Sequence, residues 1–183
     1  MKNLRLNYDV LITISRSLSK SKDPDEIIRM TVESLKKALD IKGCSLFLMN
    51  NQSNELEVAA STGLSEAYLN KGPVSALHSI ADSLEDGPIA VYDVSDDPRI
   101  QYPEDAKKEG IASILSVPIM IGDKAIGAIR AYTAEKWEFT LEDVNFAQAL
   151  AQIAGILIEM TRLYQGQSDH IEALATMCES PAL

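Results

Sequence analysis

At 183 residues, 46% hydrophobic and 24% charged, the chain has the composition of one globular domain with helical extensions, which excludes disorder of the whole. A formal net charge of -10 excludes the clustered Lys and Arg of a nucleic-acid footprint and argues against an anionic membrane surface. Neutral molecules, cations and other proteins are the partners this charge favours.

The basic and apolar residues of Met1 to Leu18 raise the question of a signal peptide. Asn7 and Asp9 interrupt the apolar stretch and no small-residue cleavage site follows, so it is read as part of the folded protein. No apolar run is expected to reach the length that crosses a bilayer. Cys44 and Cys178, far apart in sequence, read as free thiols of a reducing cytoplasm.

From Leu4 to Ser19, Leu4, Leu11 and Leu18 recur at heptad spacing with Ile14 between them, the stripe of an amphipathic helix. It serves either its own domain or a second copy of the chain. A second helix starts at Asp23-Pro24, where Asp caps and Pro is tolerated in the first turn. Ile27, Ile28, Thr31, Leu35 and Leu39 mark its apolar face, and it stops before Gly43.

Ser45 to Met49 is a short apolar run bounded by Gly43 and Asn50-Asn51, a buried strand; Glu55 to Ala60 alternates and forms a hairpin with it. A short helix is expected around Val74 to Leu84, an edge strand at Ile89 to Val91, and a helical turn at Glu104 to Glu109 inside a long polar loop. Long internal loops tend to carry function. Ser113 to Ile121 and Ile126 to Thr133 form a second hairpin across Gly122-Asp123-Lys124, with Pro118 marking an interruption or an edge.

The last helix begins at Thr140, with Asp143 completing a capping-box pattern. Phe146, Leu150, Ile153, Leu157, Met160 and Tyr164 then form a heptad seam, widened by Ala147, Ala151, Ala154 and Ile158. So broad an apolar face must cover a sheet and something more. The expected division is an N-terminal amphipathic helix over 1–20, a domain over 21–165 and a partly helical, loosely held tail over 166–183. Hairpins with helices at the ends predict an α+β fold, an antiparallel sheet with helices on one face and loops and short helices over the other.

Five segments in this order resemble the GAF domain family. Val91 to Arg99 is similar to the family's D-V-S-x-D-P-R loop, and Glu109 to Ile119 to its E-G-I-R-S-L-L-A-V-P-L strand. Ala125 to Tyr132 is similar to V-I-G-V-L-x-L-Y. Phe139 to Asp143 and Glu159 to Tyr164 complete the series. The resemblance spans about Asp23 to Gln165. It implies a GAF-like (profilin-like) central antiparallel sheet with the terminal helices on one face and a ligand pocket on the other. It also implies a sensory or regulatory role and dimerisation through the terminal helices, and it names no ligand or cofactor.

Subclasses of the family are weighed residue by residue. Bilin-binding relatives attach pigment to a cysteine, often beside histidine, and Arg99 to Glu109 holds neither. The methionine-sulfoxide reductase branch needs several cysteines about its pocket, and a thiol relay of that form is not expected from Cys44 and Cys178. Cyclic-nucleotide binders carry Asn-Lys at the end of the last strand, then Phe, three residues and Asp-Glu. Phe139 and Asp143 match, whereas Thr133-Ala134 and Val144 do not.

Among single residues, His78 lacks a second ligand at metal-binding spacing and reads as a surface or pocket-rim residue. Gly122 and Gly127 lack the Lys-Ser/Thr of a phosphate loop, and no Ser-His-Asp or Cys-His arrangement stands out. Arg130 lies in an apolar strand, where a guanidinium is expensive to bury without an anionic partner. It meets either a ligand carboxylate or phosphate, or one of the chain's own acids such as Asp93 or Asp97. Tyr132 shares its face; Ser113, Tyr102, Ile111, Asp93, His78 and Phe47 complete the expected ligand site. The expected self-association surface is Leu4, Leu11, Ile14, Leu18, Leu150, Leu157 and Tyr164. Taken together these readings make a non-catalytic sensory domain that binds a small molecule, is homodimeric and relays to an effector protein or domain. A ligand-free dimerisation module is the alternative and a reductase enzyme the least favoured.

Overall fold

The computed structural model describes residues 8–50, 52–53, 55–72, 74–75 and 87–179, with 8–9, 74–75 and 168–179 described in backbone only. Helices α2 (Pro24–Leu39) and the long α5 (Leu141–Glu179) lie along one face of a six-stranded antiparallel sheet, and α1 (Tyr8–Leu18) packs on those two helices. The strands are β1 (Gly43–Asn50), β2 (Glu55–Thr62), β3 (Val74–Ser75), β4 (Ile89–Val91), β5 (Ser113–Ile121) and β6 (Lys124–Thr133), in spatial order β3-β2-β1-β6-β5-β4. Among the described residues, two short helices, α3 (Glu66–Leu69) and α4 (Pro103–Glu109), lie in the connections and meet each other.

Local signals place these elements where the sequence predicts them. The Asp23 side chain accepts from the Asp25 N–H at 3.0 Å, Pro24 opens α2, and the helix ends on Asp40 in the left-handed region. At the start of α5 the Thr140 N–H donates to Asp143 Oδ2 at 2.9 Å while the Asp143 N–H donates to Thr140 Oγ1 at 3.2 Å, a reciprocal capping box. The hairpin between β5 and β6 turns on Gly122 at φ 58, a conformation that costs glycine no Cβ clash. Pro118 sits where β5 has run beyond β4, which pairs only as far as Ser116, so its missing N–H is on a locally free side.

One core lies between sheet and helices. Cys44 and Leu46 of β1, Leu115, Val117 and Ile119 of β5, and Ile129 and Ala131 of β6 point toward α2 and α5. The helices supply Ile27, Ile28, Val32, Leu35 and Leu39, then Phe146, Ala147, Leu150, Ala151, Ala154 and Ile158. Helix α5 lies close to β5 because Gly155 faces it: a Cβ there would come within 2.6 Å of Ile119 Cγ2. Gln152 also donates to the Met120 carbonyl at 3.0 Å, joining helix to strand.

Three expectations need correction. Val74–Ser75 is a strand and not the start of a helix; the rest of the expected helix, His78 included, lies outside the described residues. Helix α5 itself runs on to Glu179, so the expected partly helical tail is helical over 166–179. The segment Leu141–Gln167 is, by length and composition, apolar enough to cross a membrane, contrary to the reading that no run reaches that length. One side of it is buried on β5 and α2, the behaviour of a core helix in a domain of this size. Finally, β2 does not alternate evenly. The register shifts between Leu46↔Ala60 and Phe47↔Val58, a bulge that puts Ala60 on the helix side with Leu46 and Leu56 on the opposite side with Phe47.

The expected self-association residues divide. Ile14, Leu18 and Leu150 are buried in the chain's own core, and Leu11 and Leu157 pack against its edge. Those side chains are taken up by the domain, because the apolar face of α1 and the inner face of α5 are needed to close the core. Tyr164 is 75% exposed, beside Ile156, Met160 and Leu163 at 45, 61 and 60%. Leu4 lies outside the described residues.

Candidate functional site

The side of the sheet turned away from the long helices carries a different chemistry. Alternation along β6 sends Ile129 and Ala131 to the helix core and Arg130 and Tyr132 to the other side. The register sets Arg130 between Ser45 of β1 and Ser116 of β5, all three buried. Two short side chains flanking a long one leave room for the guanidinium to lie along the sheet.

Arg130 is 5% exposed, and its Cζ stands 5.0 Å from the centroid of the Phe47 ring. Such a cation–π contact contributes about 0.5–2 kcal/mol, part of the desolvation cost of burying the charge. Tyr132 is fully buried; burial pushes its hydroxyl upward from the ordinary phenol range, opposed by the charge of Arg130 and by hydrogen bonding with Ser45 and Arg130. Ser45 and Ser61 share a hydrogen bond of 2.9 Å, which fixes this polar row to β2.

Helices α3 and α4 bring further groups over this surface. Tyr68 of α3 meets Tyr132 edge to face with ring centroids 6.0 Å apart. Lys71, at the end of α3, places its ammonium 3.8 Å from the Tyr68 ring centroid and 5.8 Å from that of Tyr102, and donates to the Tyr68 carbonyl at 3.0 Å. Half-buried Lys71 is lowered to about 8, first by desolvation and then by the charge of Arg130, against the pull of Asp105 and Glu109. Ile111, Val91, Val94, Ala106 and Ile114 pack around the two tyrosines.

Of the residues expected at the ligand site, Arg130, Tyr132, Phe47 and Ile111 come together here, with Tyr102 at the rim. Ser113 does not join them. It shares strand parity with Leu115, and its hydroxyl donates to the Tyr92 carbonyl at 2.5 Å and accepts from the Trp137 N–H at 2.8 Å. It therefore ties the end of β4 to the approach to α5. Asp93 does not join them either: it pairs with Lys136 and accepts from the Ser95 N–H at 3.0 Å, and these contacts hold its carboxyl down to about 2. Asp97 is paired with Arg99. The two acids proposed as internal partners of Arg130 are thus committed elsewhere.

Sequence reasoning missed Tyr68, Lys71, Ser45 and Ser116. The serines were findable, since they stand opposite Arg130 once both hairpins are put in register. Tyr68 and Lys71 carry no signal of their own in an irregular segment. Cys44 lies on the helix side, fully buried, and desolvation pushes its thiol far above the ordinary range. It is separated from Arg130 by the sheet itself.

The profile of the GAF domain family matches residues 21–159. A comparison with curated proteins finds no match. Among solved structures, the chain resembles the GAF domain from a phosphoenolpyruvate-protein phosphotransferase of Coxiella burnetii, with TM-score 0.80 and 21% identity over 90% of this chain and 99% of that one. It also resembles free methionine-R-sulfoxide reductase from Neisseria meningitidis, solved with its substrate, with TM-score 0.76 and 20% identity over 90% and 95% of the two chains. A third is a methyl-accepting chemotaxis protein, with TM-score 0.67 and 24% identity over 82% and 98%.

Proposed function

The chain belongs to the GAF domain family, whose members are in general sensory and regulatory parts of signalling proteins, and we propose that it works as a small-molecule sensor in the cytoplasm. The observation that carries this reading is Arg130. Its guanidinium is buried in a polar row between Ser45 and Ser116, over the Phe47 ring and beside Tyr132, on the side of the sheet that faces the loops, a placement suited to reading a ligand. Tyr68, Tyr132 and Phe47 pack around Arg130, and Tyr102 lies at the rim.

Occupancy has a short route outward. Ser116 of β5 lies beside Arg130, while Ile119 and Met120 of the same strand touch Gly155 and Gln152 of α5. A ligand that favours one seating of α5 over another would shift the helix population. Dimerisation through Ile156, Met160, Leu163 and Tyr164 would deliver that shift to a second copy or to an effector protein or domain. That exposed stripe equally suits a ligand-free dimerisation module, the second reading. The likeness to a reductase gives catalysis no support here, because Cys44 is buried behind the sheet and its thiol is held protonated.

Arg130→Ala separates the first two readings: a sensor loses ligand-dependent thermal stabilisation while remaining folded, whereas a structural module shows no ligand response in either form. For the dimer, light scattering at micromolar concentration should give twice the monomer mass, falling to one in Met160→Glu/Leu163→Glu. A monomeric parent protein would refute the relay.

A further inference from the structure

The turn after β4 faces two ways. Val94, 3% exposed, is buried with Tyr68, Ile111 and Tyr132 on the loop side of the sheet. Two residues earlier, the Tyr92 carbonyl accepts from the Ser113 hydroxyl, and that hydroxyl in turn accepts from the Trp137 N–H. Segments far apart in sequence are thus joined through one fully buried side chain. A hydroxyl donates and accepts at once, so serine satisfies both backbone groups where alanine would satisfy neither.

Further contacts fasten the same place. Lys136 pairs with Asp93, whose carboxylate also accepts from the Ser95 N–H at 3.0 Å and the Ser95 hydroxyl at 2.6 Å, closing the turn on itself. The Val94 N–H donates to the Ala112 carbonyl at 2.9 Å, and the Ala112 N–H to the Thr133 carbonyl at 2.8 Å, which ties the turn to the end of β6. Beyond the joint, the Trp137 and Phe139 rings stack with centroids 5.9 Å apart. Both pack against the helix core directly before the Thr140–Asp143 box that opens α5. Val94, Tyr92, Ser113, Trp137, Phe139 and Thr140 therefore follow one another by direct contact or along the chain.

We propose that this junction couples the loop side of the sheet to the first turn of α5, with Val94 as its input, Ser113 as the joint and Trp137 with Phe139 as the seat of the helix. A displacement of Val94 draws Tyr92 and Asp93 with it, and the Ser113 hydroxyl and Lys136 pass that displacement to the residues that seat α5. The path is separate from the one along β5, which meets α5 farther on, at Gln152 and Gly155. It is made of the chain's own contacts and is measured without a ligand, so it stands apart from the sensor reading.

Trp137 is the chain's one tryptophan, and its emission reports on the joint. The test uses the full chain, tryptophan fluorescence and amide hydrogen exchange, with Val94→Ala as the perturbation in two backgrounds, the parent protein and Ser113→Ala. In the parent protein, Val94→Ala should shift the Trp137 emission and speed exchange over 137–144 by about threefold or more, leaving 156–164 unchanged. In Ser113→Ala, the same substitution should still speed exchange over 92–96 but add nothing at Trp137 or over 137–144. Ser113→Thr, which keeps the hydroxyl, should keep the response. Lys136→Met, which breaks the outer pair with Asp93, should at least halve it, and this holds as the check should Ser113→Ala fail to fold. Faster exchange confined to 92–96 in the parent protein overturns the coupling, as does faster exchange throughout α5, the mark of a general loss of stability. An equal response with and without the Ser113 hydroxyl or the Lys136 charge overturns the joint and assigns the coupling to β5.

Discussion

The two sides of one sheet are made from alternate residues of the same strands, yet they carry different chemistry. Toward the long helices lie Leu46, Leu115, Val117, Ile129 and Ala131, close-packed on α2 and α5. Away from them lie Ser45, Phe47, Ser116, Arg130 and Tyr132, a row that contains a buried charge. A single-residue slip of β6 would exchange Arg130 with Ile129 and ruin both sides, so the apolar side fixes the register that makes the polar side possible. On β6 the odd positions close the helix core and the even positions face the loops.

Truncation sharpens that division. Leu150→Ala removes a fully buried side chain from the helix core and should lower unfolding free energy in urea by about 3 kcal/mol. Arg130→Met, which keeps the length and removes the charge, should change it by less than about 1 kcal/mol, or raise it, because the desolvation cost goes with the charge. Comparable losses from both would erase the contrast. A smaller effect, about 1 kcal/mol, is expected of Thr140→Ala, which breaks the capping box with Asp143 at the start of α5; no change in the urea midpoint would show that sheet packing alone holds that helix end.

The smallest effect concerns pH. In the folded protein Lys71 titrates at about 8, below its ordinary value of 10.5, so between these values the unfolded chain holds more protons. Relative to Lys71→Met, the parent protein should therefore gain stability as pH rises from 8 toward 10.5 and show a constant difference below 8. Solvent screening of a half-exposed ammonium keeps the gain modest. Denaturant melts of both proteins across that range measure it, and a loss of stability in the parent protein relative to Lys71→Met as pH rises would place Lys71 in a stabilising ion pair.

Much of this architecture was legible in the residues. Asp23-Pro24, Thr140 with Asp143, and Gly122-Asp123 announced helix starts and a turn through local hydrogen-bond chemistry that tertiary structure did not override. Arg130 announced itself by being charged in an apolar strand. Which side it faced was not legible, because both sides of β6 are buried and period-two patterning then carries no sign. The bulge opposite Leu46 and Phe47 was equally hidden, since it reverses the parity of β2 without a glycine to mark it. Lys71 and Tyr68 acquire their role only when α3 folds back over β6. The heptad seam of α5 was read correctly as apolar but not apportioned, because burial of Leu150 and exposure of Tyr164 depend on where the sheet ends.

The central claim is that the loop side of the sheet holds a ligand through Arg130, and native mass spectrometry of the parent protein beside Arg130→Met tests it most directly. A dimer carrying an additional small mass in the parent protein, lost in the variant while the dimer persists, is the predicted result. A clean dimer of identical mass behaviour in both would contradict it and leave a domain that only assembles.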